Sequence, residues 1–351
     1  MSDINSYMKM HTEYRQRNTN LDSLRLFCAF FVICIHDPFP GEVGQYIIAI
    51  ARFAVPSFLI ISGYFYDEVV QRGVEDRQLI KLLKLIIGSN IFYFLWNIFL
   101  VCISGESISS YLISIFNAKS LLQTLIFSVS PFSGHLWYLN ALFYVLILYK
   151  VLSSKRAFNF FVWVTPFLLI IDLIFGKYSL LIWNRELPVE YLRNWLFVGI
   201  PYFTIGRVIK TNETRIRQLV FKTGLNKYCE VVIILFVMSA ILERAVLVYH
   251  NVNATRDHYF STTLLAISVF IYCIMKTQQV NKLSNIGKKE TTVIYIVHPA
   301  IITFIFLIEK YSGINDTIIE WANPIIVFIC AHSVALLHNI LKDKIKYSFH
   351  R

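Results

Sequence analysis

An arginine and a histidine eleven positions apart, Arg25 and His36, bracket ten unbroken apolar residues from Leu26 to Ile35. On a helix eleven steps turn ~1100°, three turns plus ~20°, and rise ~16.5 Å, so both side chains share one face. A guanidinium grips phosphate oxygens two at a time, and a neutral imidazole takes a proton from a hydroxyl near neutral pH. The pair suits a long anionic donor held at Arg25 and reacting at His36. Each residue also has a plainer use, Arg25 snorkelling to an interface and His36 ending a helix. A hydrocarbon core is ~30 Å thick, so at least one of the two ionisable groups lies at membrane depth, where such groups usually mark function.

Other polar residues punctuate apolar stretches. Arg52 sits inside one and requires a polar partner or a water-filled cavity. Lys81 and Lys84, one turn apart ahead of another, would attract donor phosphates or simply anchor a helix at the membrane surface. His135, Trp137 and Tyr138 open a further run, as an interfacial aromatic belt or as a stacking plane with hydrogen-bonding groups for a sugar. Tyr295 and His298 precede Pro299, and His298 serves either a ligand or helix packing. Asp37 directly follows His36; neighbouring helix positions do not share a face, so it orients the imidazole only if the helix ends there, and a turn role is expected. The sequence shows no metal-ligand spacing, phosphate loop or GxSxG elbow, so no metal site is expected.

The elements that must position these residues are membrane helices. Of 351 residues, 56% are hydrophobic and 16% charged, and mean hydropathy is +0.56, far more apolar than a soluble domain. Ten spans are expected, near 21–36, 46–66, 79–103, 136–152, 158–175, 195–208, 228–248, 260–275, 291–308 and 322–341. They form one all-α membrane domain over 21–341, after a polar leader (1–20) and before a short basic tail (342–351). Glu243 and Arg244 read as a charge pair near the end of the seventh span. The six cysteines are scattered singly, as small core residues. A net charge of +11 invites a nucleic-acid reading. Yet 24 of the 33 Lys and Arg residues fall on one set of alternating loops and 6 on the other, the rest being Arg25, Arg52 and Arg244. This asymmetry places both termini in the cytoplasm and accounts for the charge without nucleic acid.

Several segments share a pattern in order. Leu21, Asp22, Arg25 and His36 resemble the first span of the acyltransferase 3 family of integral membrane O-acyltransferases. VPSFLIISGYF (55–65), HLWYLNALF (135–143), PYFTIGRVI (201–209) and TTVIYIVHPAII (291–302) resemble its second, fourth, sixth and ninth. The resemblance implies transfer of an acyl group, usually acetyl from acetyl-CoA, to a carbohydrate hydroxyl at or beyond the outer face of the cell membrane. The acceptor would be a polysaccharide or lipid-linked glycan of the cell envelope, with acyl-CoA a donor substrate and no permanently bound cofactor. It further implies that Arg25 and His36 are essential, with His36 the general base on the acceptor hydroxyl or, as an alternative, the carrier of an acyl-imidazole. Lys81 and Lys84 stand where the family often has two arginines, a departure that loses the arginine fork. Arg25, Lys81 and Lys84 are thus expected on the donor side, and Arg52, His135, Trp137, Tyr138, Tyr295 and His298 in acceptor or supporting positions. Some proteins resembling this family add a soluble hydrolase-like domain; only residues 342–351 follow the last span here, so a standalone form is expected. Two other readings use the same intramembrane charges: a transporter or flippase for a glycan or small acid, and a non-catalytic subunit of a polysaccharide synthesis complex.

Overall fold

A computed structural model describes residues 18–252, 258–313 and 317–348, and the described residues contain helices and no strand. The leader before residue 18 and the final residues of the tail lie outside them. In chain order the α-helices are α1 (Thr19–His36), α2 (Gly41–Ala51), α3 (Ala54–Gln71), α4 (Glu75–Ser104), α5 (Ile108–Ile115), α6 (Ala118–Phe127), α7 (Trp137–Val151) and α8 (Lys155–Asp172). They continue as α9 (Ser179–Trp183), α10 (Ile200–Thr211), α11 (Glu213–Lys222), α12 (Cys229–Tyr249), α13 (Phe260–Met275), α14 (Lys282–Lys289), α15 (Thr291–Ser312) and α16 (Thr317–Ser348). Each of the ten expected spans falls on helix. Among the described residues seven stretches are long and apolar enough to cross a bilayer, counting α2 and α3 together and α8 with the π-turn Leu173–Lys177. The helices α7, α10 and α13 are shorter.

Burial separates the inner helices from the outer ones. In α1 and in α2–α3, 56% of the apolar window is buried, against 17% in α4 and in α12. Leu95, Trp163, Leu235, Met238 and Leu337 on α4, α8, α12 and α16 are all more than half exposed. Water would penalise such apolar faces heavily, whereas lipid does not. The chain is therefore a multi-pass membrane protein with α1 near its centre.

Close backbone contacts fix the inner helices. A Cβ at Gly63 of α3 would lie 2.0 Å from the Phe203 carbonyl oxygen, and one at Gly206 of α10 would lie 2.1 Å from that of Ile60. The two helices thus touch main chain to main chain, the packing that small residues permit within membranes.

The second span is one apolar stretch built of two helices: Arg52 and Phe53 form the joint, their amides bonded to Ile48 and Ile50 carbonyls at 3.2 Å each. Pro56 then falls in the first turn of α3, where no intrahelical N–H partner is needed. Arg52 consequently stands at a helix junction inside that span. One expectation is corrected here: Glu243 and Arg244 do not pair with each other. The Glu243 carboxylate accepts from the amides of Phe260 and Ser261 at 3.0 Å each, satisfying the first turn of α13. Arg244 reaches Glu42 at 3.5 Å and lies over Tyr46.

Candidate active site

The helix α1 runs unbroken through both ends of the Arg25–His36 motif. Its first turn is held firmly. Asn18 caps it by accepting from the Leu21 amide at 3.0 Å, and Asn20 donates to the Cys273 carbonyl at the end of α13 at 3.1 Å. The helix α14 presses against it at Gly287, where a Cβ would lie 1.8 Å from the Asp22 carbonyl oxygen. On this fixed turn Arg25 donates to Asp22 at 2.9 Å and keeps its side chain 32% exposed. Its guanidinium lies 5.7 Å from the Phe65 ring centroid. It is oriented by one carboxylate, yet reachable.

At the other end α1 stops at His36. The Asp37 amide returns to the Ile33 carbonyl at 2.7 Å, and Asp37 accepts from Asn323 of α16 at 3.4 Å, so the turn role expected of Asp37 holds. Burial first, and the Glu309 charge second, push the Asp37 carboxyl up to about 6. His36 is exposed. Beside the turn opens a cavity of about 500 Å³ lined by residues including Asp37, Glu42, Gln45, Glu320 and Asn323. It is open to the surface rather than enclosed, with room for a small ligand to enter.

Three histidines meet at this end. The His36 ring centroid lies 5.3 Å from that of His298 and 6.4 Å from that of His135, and the latter two are 5.3 Å apart. His135 and His298 are 5% and 0% exposed, so the triangle has one open corner, at His36.

Local structure explains how residues so distant in sequence converge. His135 lies in a 3-10 turn, Gly134–Leu136, whose approach is pinned to α4. Ser130 donates to Asn90 at 2.7 Å, and Asn97 donates to the Phe132 carbonyl at 2.8 Å. The hydroxyl of Tyr295 donates to the His135 carbonyl, tying the turn to α15. His298 stands just before Pro299, which has no N–H to offer the Tyr295 carbonyl and so loosens α15 there. One residue on, the Ile296 carbonyl accepts the Tyr93 hydroxyl at 2.6 Å, and the Tyr93 ring packs 5.0 Å from that of His135. Among the described residues no group of three His, Cys, Asp or Glu is arranged to hold a metal ion.

Between the arginine and the histidines the site is aromatic. Tyr138 lies 5.6 Å from Tyr295 and 6.0 Å from Phe58, ring to ring. With Trp137 and Tyr138 only 6% and 9% exposed, neither belongs to a lipid-facing belt. Tyr138 joins the histidine side, whereas Trp137, one position back, turns toward Arg193, whose guanidinium lies 5.7 Å from its ring. Arg52, at its joint beside Tyr259 and the buried Arg244, is on the α12–α13 side. Lys81 and Lys84 are exposed on α4. They precede Tyr93 by ~18 and ~13.5 Å of helix rise, which puts them at the Arg25 end. Sequence reasoning passed over Tyr93, Asn323, Arg193 and Ser133, whose hydroxyl lies 2.8 Å from His135 Nδ1. Tyr93 was hidden in an aromatic-rich run with no polar neighbour to mark it, and the other three become visible only through their partners.

The family model described as an acyltransferase domain matches residues 18–339. The chain belongs to the acyltransferase 3 family. An amino-acid racemase of Enterococcus faecalis is 23% identical to this acyltransferase-family chain over 359 residues, covering 95% of the chain and 48% of the racemase. The chain thus spans about half the length of that curated relative. No solved structure matches it.

Proposed function

We propose that this membrane protein transfers an acyl group, acetyl in the simplest case, from acyl-CoA to a hydroxyl of a cell-envelope glycan. The observation that carries the reading is the placement of Arg25 and His36 on one helix, ~16.5 Å apart in rise, with His135 and His298 gathered around His36 alone. Both termini lie in the cytoplasm and ten helices cross the cell membrane, in keeping with the loop charge. Arg25, with Lys81 and Lys84, faces the cytoplasm and draws the phosphates of the donor. The pantetheine arm spans the apolar, aromatic stretch, and the thioester reaches His36.

In this reaction a nitrogen of His36 takes the proton from the acceptor hydroxyl as its oxygen attacks the thioester carbonyl carbon. The carbon–sulfur bond breaks, and the departing thiolate recovers the proton from the imidazolium. The acceptor approaches through the cavity bordered by Asp37 and Asn323. Mass spectra of surface glycan from cells with and without the chain test the reading. Loss of acyl increments with unchanged glycan export supports it, whereas unchanged acylation with lost export would replace it with transport.

A further inference from the structure

The Nε2 atoms of both His135 and His298 are buried and have no hydrogen-bond partner among the described residues. A buried polar atom in this state needs an explanation, and a bound partner is one. The two atoms differ in what they need. His298 Nδ1 is 3.3 Å from the Ile294 carbonyl oxygen, which can only accept. The proton of a neutral His298 therefore sits on Nδ1, and Nε2 presents a lone pair. His135 Nδ1 lies 2.8 Å from the Ser133 hydroxyl, which donates or accepts, so this contact does not fix the His135 tautomer.

A lone pair enclosed on a fully buried ring, 5.3 Å from the ring of the exposed His36, is satisfied by an O–H or N–H, which a ligand seated at His36 can supply. We infer that His298 Nε2 accepts a hydrogen bond from a hydroxyl of the acyl acceptor, next to the hydroxyl that His36 deprotonates. This rests on the acyl-transfer reading and adds to it the substrate class: a polyol offering two neighbouring hydroxyls, one consumed and one held. The ring separation leaves room for that arrangement, with one hydroxyl at each imidazole. His298 in this role touches the substrate without exchanging a proton with it.

The test uses membranes holding the full-length protein and native glycan, radiolabelled acetyl-CoA as donor, and label in the glycan as the readout. Three forms are compared at equal membrane abundance: wild type, His298→Leu, which removes the lone pair, and His298→Gln, whose carbonyl oxygen restores an acceptor. The expected result is an about 10- to 100-fold fall in kcat/KM toward the glycan for His298→Leu. His298→Gln should recover most of it, with KM for acetyl-CoA within about twofold in both. Wild-type rates in both variants would overturn the inference, and so would equal losses in both, which would make His298 a packing residue. If wild type itself transfers no label, it is the acyl-transfer reading that fails.

Discussion

The imidazoles of His36 and His298 lie 5.3 Å apart, ring centre to ring centre, the first on the central helix and exposed, the second on α15 and fully buried. The exposed ring at the mouth, the reacting group of the proposed function, is thereby backed by one that solvent does not reach. Much of the surrounding structure serves to hold this relationship, and its supports make separable predictions.

Tyr93→Phe keeps the ring against His135 but removes the hydroxyl that serves the Ile296 carbonyl beside Pro299. One neutral hydrogen bond is worth about 1 kcal/mol. Transfer should fall about 3- to 10-fold by assay in membranes, with the amount of protein unchanged. An unaltered rate would show that α15 holds His298 without this bond.

Gly206→Ala places a methyl group against the Ile60 carbonyl oxygen and Tyr64 amide, at 2.1 and 2.8 Å, where main chain must shift on both helices. Overpacking of this kind costs about 1–3 kcal/mol. The thermal midpoint of the detergent-solubilised protein should drop by several degrees, and a stable variant would mean that α3 and α10 separate freely.

Reversing the charges of Lys81 and Lys84 to Glu should raise KM for acyl-CoA several-fold and leave kcat nearly unchanged, because both are exposed at the Arg25 end. The effect should shrink as salt screens it. A fall in kcat with constant KM would place these lysines outside donor capture.

Asp37 gives a pH prediction with a definite sign. Its carboxyl, pushed up to about 6 in the folded protein by burial and then by Glu309, titrates above the ~3.9 of an unfolded chain. Its contribution to stability is complete below about pH 4 and is lost as pH rises to about 6. Thermal midpoints of wild type should therefore fall relative to Asp37→Asn across that interval. A difference that stays flat from pH 4 to 6 would contradict the burial assigned to this group.

What was legible in the sequence follows from the range of each signal. Hydrophobic runs are local, so each of the ten expected apolar stretches lies on helix, seven of them long and apolar enough to cross a bilayer among the described residues, and the face shared by Arg25 and His36 follows from helix geometry alone. Arg52 and Pro56 interrupt the second apolar run and so mark where it breaks, whereas the joint itself, at Arg52 and Phe53, is set by hydrogen bonds that a sequence does not show. Tertiary relations were the least accessible. His135 and His298 were separate candidates with plain alternatives, and only the folded chain brings both to His36. Glu243 and Arg244, adjacent and of opposite charge, suggested each other; a helix N-terminus and Glu42 claim them instead.

The central claim is that acyl transfer passes through His36. Membranes containing wild type or His36→Ala, supplied with radiolabelled acetyl-CoA and assayed for label in glycan, measure it directly. The account predicts transfer by wild type and a loss of at least about 100-fold in His36→Ala at equal membrane abundance. Transfer by His36→Ala at the wild-type rate would contradict it.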